Sequence, residues 1–144
     1  MNNNHFVIKK GLDIRLKGAP TLQIDDFLTD RYAICPADFH WIVPKLLVAE
    51  GDRVEVGTPL FCSKENEKLI FVSPVGGTVD KVIRGEKRKI EYITLNADGP
   101  KLLENVDVKT DADRDGIIDL LLQYGLWPFM RQRPFGCIAN PTDT

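Results

Sequence analysis

A chain of 144 residues with 43% hydrophobic and 28% charged residues is sized for one globular domain, or for one small domain with an appendage. Its formal net charge of −2 provides no bulk basic character for nucleic acid and no uniform basic face for anionic lipid. No apolar run approaches the roughly 20 residues that span a bilayer, and residues 1–10, MNNNHFVIKK, lack the apolar core of a secretory signal, so the chain reads as soluble and cytoplasmic.

Three scattered cysteines, Cys35, Cys62 and Cys137, contain no C-x-x-C pair, which argues against a disulfide framework or a structural zinc. As free thiols they behave as small hydrophobes.

In chain order, Phe6-Val7-Ile8 predicts a short strand that turns at Gly11, and Leu12, Ile14 and Leu16 alternate with charged residues until Gly18-Ala19-Pro20. Residues 21–30 read as a connecting loop. From Arg31 to Val48, apolar positions including Trp41, Ile42 and Val43 predict strands broken at Pro36 and Pro44. Each proline removes a ladder donor, so these strands should be short or lie at an edge.

Residues 51–78, GDRVEVGTPLFCSKENEKLIFVSPVGGT, alternate turn residues with buried ones. Gly51-Asp52 and Gly57-Thr58-Pro59 supply turns, while Val54, Val56, Leu60, Ile70 and Val72 are β-formers that flank a charged tip carrying Lys68. A second half follows. A strand over 78–83 leads to a charged hairpin, Arg84 to Arg88, with Gly85 available for a positive backbone dihedral, and Ile90 to Leu95 returns as its partner. Residues 96–110 form a polar connection. Ile117, Ile118, Leu121 and Tyr124 recur at helical spacing, aspartates fill the first turn, and Gly125 is placed to stop the helix. The segment GLWPFMRQRPFG, Gly125 to Gly136, then mixes aromatics with arginines.

The ordered run G-D-x-V-x-x-G-x-x-L, a charged tip, then S-P-x-x-G-x-V resembles the biotinyl/lipoyl-type barrel-sandwich hybrid. The expected fold class is therefore mainly β (α+β): that hybrid over residues 31–96, preceded by an N-terminal strand and connection over 1–30. A linker, a helix and the start of a further domain occupy 97–144. Three blocks, IKKGLDIRLKGAP, SPVGGTVDKVIRGEKRKIEYITL and GLWPFMRQRPF, resemble the A subunit of the bacterial sodium-translocating NADH:quinone oxidoreductase.

That resemblance implies an N-terminal part of a longer, peripheral, cytoplasmic-side subunit. Its complex passes electrons from NADH to ubiquinone, with flavins and iron–sulfur in other subunits, and exports sodium. The implied partners are the other subunits and, through the complex, quinone. No nucleic acid and no calcium are expected, and no cofactor is expected on this chain. A fold alone does not fix chemistry, and two other readings stay open: a lipoyl or biotinyl carrier, and the N-terminal part of the C subunit of an Rnf-type electron-transport complex.

Residue by residue, the chemistry is thin. Lys68 lies six before Pro74, where a lipoyl domain carries its modified lysine, but its neighbours are Glu67 and Leu69 and Lys64 competes; a solvated hairpin charge is the simpler account. Asp111 to Asp119 begins like a calcium loop but has Leu122 where the bidentate glutamate belongs, so an aspartate cap at Asp111 or Asp113 is the simpler account. His5 and His40 have no second histidine or spaced acid, so no catalytic or metal site can be written. Arg84, Lys87, Arg88 and Lys89 form a basic tip suited to a phosphate, an anionic lipid head or an acidic partner subunit, with a solvated hairpin as the simpler account. Trp127, Phe129, Arg131, Arg133 and Phe135 have the composition of interface anchors, with filling of the barrel's open end as the alternative for Trp127 and Phe129.

Overall fold

The computed structural model describes residue 7, residue 11, and residues 17–19, 21–25, 29–99 and 113–141. The expected N-terminal strands, the connection over 100–110 and Asp111 lie outside the described residues, apart from Val7, Gly11 and residues 17–19.

Seven strands make two antiparallel sheets. They are β1 (Arg31–Ile34), β2 (Pro44–Leu46), β3 (Arg53–Val54), β4 (Pro59–Ser63), β5 (Ile70–Val72), β6 (Gly77–Arg84) and β7 (Ile90–Ala97). One sheet has the order β1-β7-β6-β3 and the other the order β2-β4-β5. The strands beside Pro36 and Pro44, β1 and β2, are short and lie at sheet edges. A single helix, α1 (Arg114–Gln123), and a two-stranded ribbon, β8 (Arg131–Gln132) with β9 (Cys137–Ile138), complete the described chain.

The turn chemistry of residues 49–58 is one device used twice. In Ala49–Asp52, the Asp52 N–H donates to the Ala49 carbonyl (3.2 Å), and the Ala49 N–H donates to the Asp52 carboxylate (2.7 Å). In Glu55–Thr58, the Thr58 N–H donates to the Glu55 carbonyl (3.0 Å), and the Glu55 N–H donates to Thr58 Oγ1 (2.9 Å). The third residue of each turn is glycine at positive φ, Gly51 at 90° and Gly57 at 86°. That is the type II position at which a side chain is strained.

Each turn is stitched to a distant segment. Gly51 N–H donates to the Val79 carbonyl (2.8 Å) and Val79 N–H to the Asp52 carbonyl (2.9 Å), while Gly57 N–H donates to the Ser73 carbonyl and Ser73 N–H to the Thr58 carbonyl (both 2.8 Å). Glycine, aspartate, threonine and serine at this spacing thus bind the opening motif to the closing one.

The main core holds Val54, Leu60, Phe61, Phe71, Val79, Ile90, Ile93 and Leu95, all buried. Cross-strand partners Phe61 and Phe71 stack with centroids 4.4 Å apart, and Phe39 meets the Phe71 ring edge-on at 4.5 Å. In β5 the core residue is Phe71, with Ile70 and Val72 half-buried, the reverse of the expected alternation. A register irregularity between Pro59 and Phe61 accompanies this reversal.

The expected strand over Trp41–Val43 is also revised. Pro36–Asp38 forms a 3-10 turn, and the chain stays irregular until Pro44, leaving Trp41 78% exposed.

Replacing Asp52 with alanine, or Gly57 with alanine, is expected to lower stability by about 1–2 kcal/mol each, through a lost turn acceptor and a strained dihedral. Urea titration should show lower midpoints at unchanged slope; wild-type midpoints would contradict the stitched-turn account.

Candidate functional site

The β4–β5 hairpin carries the residue that a carrier domain would modify. Its tip is ordered by side-chain and backbone bonds: Lys68 N–H donates to Asn66 Oδ1 (3.1 Å), Leu69 N–H to the Asn66 carbonyl (3.0 Å), and Lys64 N–H to the Val43 carbonyl (2.8 Å). The Lys45 ammonium is hydrogen-bonded to the Glu67 carboxylate, which raises the lysine pKa above its ordinary value. A raised lysine pKa means that this tie is present through the neutral range and is lost as pH rises through the raised value. Both groups face solvent, so the tie orients more than it stabilises.

Lys68 itself is exposed, but it does not stand clear of the body. It lines a groove of about 260 Å³ with Asp115, Ile118, Asp119 and Leu122 of α1 and with Pro141. The next residue, Leu69, is buried in a second apolar cluster with Leu122 and Trp127, onto which Ile42, Ile118 and Ile138 pack. The segment after α1 therefore lies over the hairpin. A swinging arm needs a tight turn that protrudes freely; this hairpin is held down one residue from the candidate amine.

The covering segment is built by local rules. The Asp113 carboxylate caps α1 by accepting from Gly116 N–H (2.9 Å), which assigns both the aspartate and the glycine of the calcium-like string to a helix start. At the other end Gly125, at φ 65°, donates to the Leu122 carbonyl (3.1 Å) and Leu126 N–H to the Leu121 carbonyl (2.8 Å), the paired bonds of a Schellman stop. A side chain at Gly125 would meet Val72 Cγ1 at 2.6 Å, so the same glycine lets the stop press against β5. Of the expected helix face, Ile118 and Leu121 pack inward and Ile117 is 48% exposed.

The aromatic segment divides. Trp127 and Pro128 are buried, and Trp127 Nε1–H donates to the Ala139 carbonyl (2.7 Å), pinning β9. Phe129, 66% exposed, meets the Phe39 ring edge-on with centroids 6.2 Å apart, and Phe135 is 80% exposed. Arg131 donates to the Asp38 carbonyl (3.3 Å). Trp127 is thus buried rather than presented outward, and Phe129, expected with it at the barrel's open end in the alternative reading, is exposed together with Phe135.

At the β6–β7 tip the positive dihedral expected of Gly85 falls elsewhere. Gly85 has φ −92°, and the left-handed positions belong to Lys87 (φ 54°) and Arg88 (φ 62°). Gly85 is instead close to the Glu91 side chain, which occupies the space a Cβ would need.

His40 lines a cleft of about 420 Å³ with Ser63, Glu65, Asn66 and Cys137, a set with one imidazole and one carboxylate. His5 lies outside the described residues. Among the described residues, no group of three or more His, Cys, Asp or Glu could hold a metal ion, and no helix is long and apolar enough to cross a membrane. The cysteines are free, with Cys62 buried.

Among the described residues, two antiparallel sheets stitched through paired glycine turns, with one short α-helix and no closed barrel, define a barrel-sandwich hybrid domain. The family model described as the NqrA N-terminal barrel-sandwich hybrid domain matches residues 6–98, and the chain belongs to that family. It is 35% identical over 142 residues to the A subunit of the Na(+)-translocating NADH-quinone reductase of Pseudomonas aeruginosa, covering 95% of this chain and 32% of the relative. The same-named proteins of Rhodopirellula baltica and Haemophilus influenzae are 36% and 32% identical, over 92% and 94% of the chain and 31% of each relative. The chain thus spans about a third of the length of these curated relatives.

Intact-mass spectrometry of the chain purified from its own host is expected to return the unmodified mass; a lipoyl or biotinyl increment on Lys68 would overturn the tethered-hairpin reading.

Proposed function

We propose that the chain is the N-terminal domain of the A subunit of a sodium-translocating NADH-quinone reductase and works there as a docking and positioning module. In this reading the subunit is peripheral and lies on the cytoplasmic side. NADH and ubiquinone are substrates of the whole complex, and flavins and iron–sulfur reside in other subunits. The domain holds no cofactor, has no catalytic residue, and contributes to oxidoreductase activity and sodium export by holding other parts in place. The names of relatives matched over more than nine-tenths of the chain support the assignment.

One observation carries the docking role. In residues 125–136, Trp127 and Pro128 are buried anchors, while Phe129, Met130 and Phe135 project from the same short segment with Arg131 and Arg133 beside them, all five exposed. Exposed large aromatics beside arginine are the composition of interface centres, where a few such residues contribute most of the binding. A domain that needed them only for its own fold would bury them, as it buries Trp127.

The paired substitution Phe129→Ala and Phe135→Ala in the full-length subunit tests this. Such exposed changes should alter domain stability by no more than about 0.5 kcal/mol. Retention of the subunit in the purified complex should fall by about tenfold or more, the size of a hot-spot loss, with NADH-quinone activity falling in parallel. Wild-type assembly and activity would contradict the role.

A further inference from the structure

We propose that the β6–β7 turn and the neighbouring Trp41 loop form a contact patch for an anionic lipid surface. This goes beyond the docking face, uses none of its residues, and rests on the reading above only in placing the chain beside a membrane.

Among the described residues, three that are not glycine hold a left-handed backbone: Trp41 (φ 68°), Lys87 (φ 54°) and Arg88 (φ 62°). They belong to one region. Lys89, next to the turn, lines one cleft with Trp41 and a second with Tyr92, and Ala37 lines both. A two-residue left-handed turn ordinarily takes Asn-Gly; here two long cations occupy both positions. Bulky residues kept in such conformations mark places where a side chain is held for a use beyond packing.

Charge sets the sign of the partner. Residues 84–91 contain four cations, Arg84, Lys87, Arg88 and Lys89, against two anions, Glu86 and Glu91, on a chain of net charge −2. The low net charge excludes a uniformly basic protein, not a basic tip. The Arg84 guanidinium donates to the Arg88 carbonyl (3.3 Å), which orients it without neutralising it. None of the ion pairs among the described residues involves Lys87, Arg88 or Lys89.

The apolar members select a bilayer. Trp41 is 78% exposed, Tyr92 44%, and Ile83, the cross-strand partner of Tyr92, 41%. Amphipathic rings insert singly at headgroup depth, and cations close to an anionic leaflet are drawn to it. A protein partner would instead need a matched contact of roughly 800 Å² on this side, whereas these residues lie around one exposed hairpin turn and the loop beside it.

Sedimentation of the chain with phosphatidylcholine–phosphatidylglycerol vesicles, compared with phosphatidylcholine alone, tests the proposal. Binding is expected only with the anionic lipid, to weaken with salt, and to shift Trp41 emission to the blue, since Trp127 is already buried. Lys87→Asn with Arg88→Gly suits the turn geometry, so the variant should be at least as stable as wild type while binding about tenfold more weakly or worse. Lys64→Glu with Lys68→Glu, on the other hairpin, should bind as wild type. Equal sedimentation with both lipids, no binding, undiminished binding of the turn variant, or equal loss in the control would each overturn the patch. The assembly test with Phe129 and Phe135 is independent of these outcomes.

Discussion

Everything in this domain depends on four backbone hydrogen bonds that join residues 51–58 to residues 73 and 79. They fix where the chain crosses from the four-stranded sheet to the three-stranded one and back. Once that crossing is set, Phe61 lies over Phe71, and Val54 and Val79 close the core between them. The bonds form because two type II turns present their amides outward, and those turns form because glycine occupies each left-handed position and a short oxygen-bearing side chain closes each loop. Buried amides without partners cost about 1–3 kcal/mol each, so the stitch is over-determined rather than incidental.

The same architecture serves domains that carry a covalent arm, and the difference here lies in what covers the hairpin. Burying one leucine side chain contributes roughly 1.5–3 kcal/mol, and Leu69, Leu122 and Trp127 bury one another at 7–8% exposure. A Trp127 indole bonded to Ala139 adds a directional restraint. Lifting the hairpin that carries Lys68 away from the body must break this cluster, at a cost comparable to a sizeable fraction of a small domain's stability. The hairpin thus becomes a seat for the C-terminal segment, and that segment, so seated, presents Phe129 and Phe135 outward. Packing at Leu69 and exposure at Phe135 are two ends of one arrangement.

Much of this was legible in the sequence wherever the governing physics is local. Gly51, Asp52, Gly57 and Thr58 announce their turns by residue type alone. Asp113 and Gly125 mark the ends of a helix, and Pro36 and Pro44 mark where strands stop or start, all from rules spanning a few residues. The basic tip and the aromatic segment were visible as compositions. Their division into buried and exposed members was not, because Trp127 and Phe129 differ only in which distant residues meet them, Ala139 in one case and the rim of Phe39 in the other. The reading of Gly85 failed for a related reason. Close approach of the Glu91 side chain, set by strand register, takes up the space beside the glycine, and the left-handed positions fall on Lys87 and Arg88. Trp41 reads as a strand residue in any window, and only the fold reveals it in solvent.

The central claim is that the segment after residue 113 holds the β4–β5 hairpin shut. Native-state hydrogen exchange at the amides of Ser63, Leu69 and Ile70, which close that hairpin, measures it directly when wild type is compared with Leu122→Ala. Exchange at these amides is expected to accelerate by about 30-fold or more while amides of β6 and β7 change less, the signature of a local opening released by loss of the cluster. Unchanged protection at the hairpin, or acceleration spread evenly over both sheets, would contradict it.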